Sequence, residues 1–241
     1  DIGVARPVTG ENIRQCCVRR GTANMTKGPA MSREEAAKAV MTGILLVEEL
    51  KQVGFRLLAT GEMGIGNTTT SSAIVSVLLG KDPAEVTGRG AGLTSEGLER
   101  KIQAIRTAIA VNQPDSADPL DVLHKVGGLD IAGLAGVFLG GAIHRVPVLV
   151  DGFISSAAAL VAAAICPAAK DYMLASHASN EPAGRMVLET LGLTPFLHAG
   201  MCLGEGTGAV AVMPLLDMGA AVYREMCTFA ATDIEAYEHL T

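Results

Sequence analysis

The chain has 241 residues and a net charge of −6, with 49% apolar and 18% charged residues, so it can build a sizeable core and is not disordered throughout. Aromatics are only 3%, Trp is missing, and 19 Lys plus Arg stand against 25 Asp plus Glu, which argues against base stacking or an electrostatic footprint for nucleic acid. The five Cys form no C-x-x-C pair and read as free thiols in a reducing cytoplasm, and the most apolar run, 153–164, is too short to span a bilayer.

Residues 1–31 contain Gly, Pro and basic residues with weak periodicity and read as irregular. Ser32 and Glu35 make an S-x-x-E capping box, and Ala36, Val40, Ile44 and Val47 continue one apolar stripe, so a helix is expected from Ser32 to about Val53. Phe55–Thr60 reads as a short buried strand that runs into the Gly-rich stretch from Gly61 to Asn67. A helix then runs through Ser71 to Leu79 and stops at Gly80. A second Gly-rich stretch, 88–92, precedes a helix over about 95–111, and Asp118-Pro119 is a cap followed by a first-turn proline. The apolar, Gly-rich run 129–143 reads as helical.

Val146–Val150 reads as a strand ending at Asp151-Gly152, followed by an Ala-rich helix. Tyr172–Ala175 reads as another strand ending at Ser176-His177-Ala178-Ser179, with a helix near 182–191. Phe196–Leu203 is expected to be a further strand ending at Gly204-Glu205-Gly206, before a long helix to about Met226. Strand, polar or Gly-rich turn, and helix thus recur at least four times. That rhythm points to an α/β fold: a parallel, Rossmann-like sheet flanked by helices, with a smaller helical part. We read one α/β catalytic domain over 1–241, with an irregular and helical lead-in (1–53), an α/β core (54–227) and a C-terminal helical tail (228–241). The start at Asp1, in what reads as mid-element sequence, leads us to expect a further N-terminal segment.

In such sheets ligands bind beyond the carboxyl ends of the strands, so all the strand-exit turns are expected on one rim. The first candidate is Gly61–Thr70. Glycines let backbone N–H groups converge, the helix start adds partial positive charge, and Asn67 and Thr68 add side-chain donors, a combination suited to a phosphate monoester. There is no Gly-Lys-Ser/Thr ending and no G-x-G-x-x-G spacing, so neither a Walker loop nor a dinucleotide fingerprint is present. The second candidate is Gly204–Gly208. A Glu between two glycines reads either as a charge–dipole contact or as a functional carboxylate. Glu62, in a similar Gly-Glu setting, favours acid/base work by a pair, with partial desolvation raising at least one pKa. Asp151 reads equally as a grip on ribose hydroxyls or as a cap for the helix after Gly152, and Ser179 has the same ambiguity. Lys101 and Arg106 read either as phosphate contacts or as a solvated face. His177 and His198 lie near the rim, Cys202 has no catalytic-cysteine signature around it, and His spacing offers no metal site.

Four of these segments resemble a known family. The stretches 61–69, 150–152, 176–179 and 203–209 occur in the order found in nicotinate-nucleotide–dimethylbenzimidazole phosphoribosyltransferases. The resemblance implies transfer of a phosphoribosyl group from nicotinate mononucleotide to 5,6-dimethylbenzimidazole, giving α-ribazole 5′-phosphate and nicotinate. It implies Glu205 as general base and Glu62 as a second carboxylate. It also implies substrate contacts at Met63, Gly64, Gly66, Asn67, Thr68, Leu203, Gly204 and Gly206, and more weakly at Lys101, Asp151 and Ser179. No cofactor and no metal are expected, since no pyrophosphate leaves. The implied partners are the nucleotide, a benzimidazole-type base and a second copy of the chain. Family members carry an additional N-terminal segment that helps form the base pocket. An inactive phosphate-ligand binding module of the same fold is the alternative.

Overall fold

The computed structural model describes residues 1–232 and Glu235. Three short parallel strands form the sheet, in the order β1 (Leu58–Ala59), β2 (Val148–Val150), β3 (Met173–Ala175). Leu58 pairs with Val148, and Val148 with Met173, so the strands are in step and their carboxyl ends share one rim.

The period-two alternation of a strand decides which helices cover which face. Val148, Val150 and Met173 point into the main core. That core lies among α1 (Arg33–Gln52), α2 (Thr68–Leu79), α6 (Leu129–His144) and α7 (Phe153–Ile165). Leu149 and Leu174 point the other way, with Leu57, against Ala209 and Val212 of α9 (Thr207–Glu225). The sheet is therefore covered on both faces, as a parallel sheet requires. The two cover layers differ. The α7 helix is buried from Phe153 to Ala162, whereas α9 leaves Val210, Leu215, Met218 and Val222 exposed.

Local signals set the helix starts. The Ser32 hydroxyl accepts the Glu35 N–H and the Glu35 carboxylate accepts the Ser32 N–H, closing the capping box of α1. Asp118 accepts the Leu120 and Asp121 N–H groups ahead of α5 (Pro119–Val126), with Pro119 in the first turn. Asp82 caps a one-turn helix, α3 (Pro83–Val86), that the sequence reading does not include. Thr94 caps α4 (Ser95–Asn112), and α8 (Gly184–Leu191) follows β3. No regular helix or strand precedes Arg33, and Ala30 and Met31 are tied by backbone hydrogen bonds to Lys125 and His124.

One expected element is absent. Phe196–Leu203 is not a strand. The Phe196 N–H donates to the Ala175 carbonyl at the end of β3, Leu197 makes an isolated bridge to His177 just beyond it, and the chain then turns at Gly200, which has φ +62°. That left-handed turn cannot sit in a pleated ladder, so the segment stays beside the sheet without joining it as a fourth strand. β1 is likewise shorter than the run 55–60, and it is not the buried strand expected: Leu58 is half-buried, while Phe55 and Ala59 are exposed, as befits an edge strand. The helical tail expected over 228–241 falls mostly outside the described residues, as does His239, and what is described includes a 3₁₀ turn at Phe229–Ala231.

Candidate active site

The rim at the strand ends gathers four turns. Residues 60–67 leave β1, Asp151-Gly152 leaves β2, Ser176–Ser179 leaves β3, and Leu203–Gly206 returns to lie over the first of these. A cavity of about 480 Å³ opens among them, within the size range of small-molecule sites.

The two Gly-Glu turns touch through their backbones. The Glu205 N–H donates to the Glu62 carbonyl at 2.9 Å. Gly61 lies so close to this turn that a Cβ there would stand 2.3 Å from the Gly206 nitrogen, so only glycine allows the approach. Gly204, Glu205 and Gly206 have φ of +78°, +58° and +80°. For Glu205 this conformation costs about 1–2 kcal/mol, a strain that the surrounding contacts must hold.

Asp151 supplies much of that hold. It is 1% exposed, and its carboxylate accepts the Gly206 N–H and the Ala209 N–H, each at 3.1 Å. The residue thus caps α9, not the helix that follows it in sequence. Beside it, the Ser176 hydroxyl donates to the Val150 carbonyl at 2.7 Å and stands 3.0 Å from His177 Nδ1. The Ser176 oxygen is then free to accept the Nδ1–H, which leaves His177 Nε2 as an acceptor. Burial lowers the His177 pKa, opposed by the Asp151 charge, which favours the neutral ring.

The two carboxylates occupy different settings. Glu62 is half-buried, and burial pushes its carboxyl above the ordinary range, opposed by the Met63 N–H that donates to it at 3.0 Å. Glu205 is exposed at the cavity wall.

Of the residues expected at the site, Glu62, Met63, Gly64 and Thr68 line the cavity from the β1 side. Asp151, Ser179, Leu203, Gly204 and Glu205 line it from the other turns. Gly66, Asn67, Lys101 and Gly206 do not line it. Asn67 precedes α2 without capping it, and its amide donates to Asp130 at 2.7 Å instead. The start of α2 is therefore left without a side-chain cap. Lys101 is 8% exposed and stands behind Thr68, donating to its hydroxyl and to the Gly88 carbonyl at 2.9 Å each. Burial lowers its pKa, opposed by the charge of Glu181. Ser179 accepts the Glu181 N–H at 3.3 Å. Arg106 pairs with Asp82, and neither residue lines the cavity.

Glu181, Gly90 and Ser155 also line the cavity, and the sequence reading does not single them out. Among the described residues, no three His, Cys, Asp or Glu side chains are grouped to hold a metal ion, and no helix is long and apolar enough to cross a membrane.

A sequence model described as a phosphoribosyltransferase matches residues 1–234. The chain is 51% identical over 240 residues to the nicotinate-nucleotide–dimethylbenzimidazole phosphoribosyltransferase of Clostridium acetobutylicum, covering 100% of this chain and 68% of that protein. Its counterpart in Desulforudis audaxviator is 53% identical over 230 residues, covering 95% of this chain and 65% of that one. The crystal structure of CobT from Thermus thermophilus is similar with a TM-score of 0.91 at 41% identity, covering 98% of this chain and 70% of that one.

Proposed function

The chain belongs to the family of nicotinate-nucleotide–dimethylbenzimidazole phosphoribosyltransferases, which are enzymes, and from that premise we propose that it transfers the 5-phosphoribosyl group of nicotinate mononucleotide to 5,6-dimethylbenzimidazole. The products are nicotinate and α-ribazole 5′-phosphate. The observation that carries this reading is the backbone contact between the Glu62 and Glu205 turns on the wall of one cavity, beside the uncapped start of α2.

In the proposed reaction a ring nitrogen of the benzimidazole attacks C1′ on the face opposite nicotinate. The C1′–N bond to nicotinate breaks, and its electron pair returns to the pyridinium ring, which becomes neutral. Glu205 takes the N–H proton of the incoming base, and the anomeric centre inverts from β to α. Positive charge builds on the ribose as the bond breaks, and an ionised Glu62 lowers its energy. The 5′-phosphate is received by the N–H groups at the start of α2 and by Thr68, whose hydroxyl Lys101 supports. Anchoring both reactants this way contributes up to about 7–11 kcal/mol at the ideal limit. Met63 and Leu203, both largely exposed at the cavity, offer apolar surface to the aromatic rings. Asp151 acts by fixing the turn that carries Glu205.

The reading includes a homodimer, which the exposed apolar side of α9 supports, and a cytoplasmic location, which five free thiols support. The test is release of nicotinate from nicotinate mononucleotide. Stoichiometric release with α-ribazole 5′-phosphate, dependent on added benzimidazole, is expected. Calorimetric binding of the nucleotide with no release on adding the base overturns the transferase in favour of a binding module.

A further inference from the structure

Two residues of the rim have no part in the proposed reaction: His177, and Gly208 at the end of the Gly204–Gly208 stretch. They lie against each other. His177 stands two residues past β3 and is 2% exposed at the cavity wall. Gly208 is in the first turn of α9. A Cβ on Gly208 would meet the imidazole at Nδ1, Cε1 and Cγ, the last at 2.9 Å, so bare backbone is what lets the ring lie on the helix.

The ring is held from the sheet side as well. Its Nδ1 stands 3.0 Å from the Ser176 hydroxyl, which is anchored to the Val150 carbonyl at the end of β2, and 4.0 Å from the Asp151 carboxylate. The imidazole thus fills the gap between the carboxyl ends of β2 and β3 and the start of α9. That start is where Glu205 is placed. Asp151 accepts the Gly206 and Ala209 N–H groups, on either side of Gly208. Glu205 precedes Gly206 directly, in a left-handed conformation that persists only where neighbours enforce it. Asp151 is a tether that draws this turn toward the sheet. A tether sets how far the turn can stray, but not how near it can come. A close-packed ring, which hardly compresses, sets that second limit.

Resting on the transferase reading, we infer that His177 is a positioning residue for Glu205: its ring, seated on Gly208, is the spacer against which the Asp151 tether holds the Glu205 turn at the cavity wall. It acts through Glu205 and not on the substrate. The phosphate site at the start of α2 belongs to a different element. Loss of the spacer therefore displaces the proposed base and leaves the nucleotide bound.

The experiment is steady-state release of nicotinate, with nucleotide affinity by calorimetry, for wild type, His177→Ala, His177→Asn and Gly208→Ala, each also in the Glu205→Gln background. His177→Ala and Gly208→Ala are expected to lower kcat by about 10²-fold, the loss typical of a misplaced catalytic group, with nucleotide affinity unchanged. His177→Asn keeps a polar partner for Ser176 but not the bulk of the ring. It is expected to show the same loss, and it carries the test should the alanine variant not fold. In the Glu205→Gln background these substitutions are expected to cost almost nothing further, because the base they misplace is already gone. A histidine that touches the substrate would instead multiply the two losses. A purely structural one would lower Tm and the bound fraction together and leave kcat of that fraction as it is. Either result overturns the inference, as does wild-type kcat in His177→Asn. Failure of the transferase reading looks different: wild type binds the nucleotide and releases no nicotinate when the base is added.

Discussion

Glu62 and Glu205 each follow a glycine at the mouth of one cavity, but Glu62 is half-buried on ordinary backbone, whereas Glu205 is exposed on a left-handed one. Glu62 stands three residues past the end of β1 and its carboxylate is bonded to the next N–H in the chain, so its position is local. Glu205 is placed by distant partners: the Glu62 carbonyl accepts its N–H, and Asp151 holds the residue after it. The lesson is that one short motif yields two kinds of carboxylate. One has its ionisation tuned by burial, and the other is held in strained backbone at the open wall of the cavity.

This contrast can be broken from either side. The largest effect is expected from Glu205→Gln, which keeps the turn but removes the proposed proton acceptor. Its kcat should fall by roughly 10²–10⁴ with nucleotide binding retained, measured by nicotinate release. Full activity would reduce the strained turn to architecture.

Glu62→Gln should have a smaller effect on rate and a distinct effect on pH dependence. The folded-state pKa of Glu62 lies above its unfolded value, so its contribution to stability is full below the ordinary carboxylate range and is lost as pH rises through the raised value. The glutamine variant, with no charge to bury, should therefore gain in Tm over wild type at neutral pH and not in acid. The acidic limb of kcat/KM should sit above the ordinary carboxylate pKa in wild type and disappear in the variant. A limb that persists unchanged assigns it to another group.

The smallest effect is one on stability and reports the strain. Glu205→Gly relieves the left-handed conformation at the cost of added freedom in the unfolded chain. A net gain of about 0.5–1 kcal/mol in urea unfolding is expected, with activity lost.

The parts of the molecule legible in the sequence are those set by neighbours along the chain. Ser32 with Glu35, and Asp118 with Pro119, announce their helices because each cap bonds within three residues. The strand-exit turns were legible because a parallel sheet puts them on one rim. What sequence could not carry is long-range. Asp151 fitted a ribose grip or a local cap, and instead its carboxylate caps α9, reaching Ala209 fifty-eight positions on. Phe196–Leu203 has the apolar content of a strand, but the turn at Gly200 takes it off the ladder. Ser155 and Ser156 look alike in an Ala-rich run, and only the direction each faces on the helix separates a core hydroxyl from one at the cavity.

The central claim is that both carboxylates act on one transition state, and a double-mutant cycle on nicotinate release tests it most directly. The account predicts that Glu62→Gln combined with Glu205→Gln loses far less kcat than the product of the two single losses, as for groups that work as a unit. Losses that simply multiply would mean that the two glutamates act independently, and the paired-turn site would not stand.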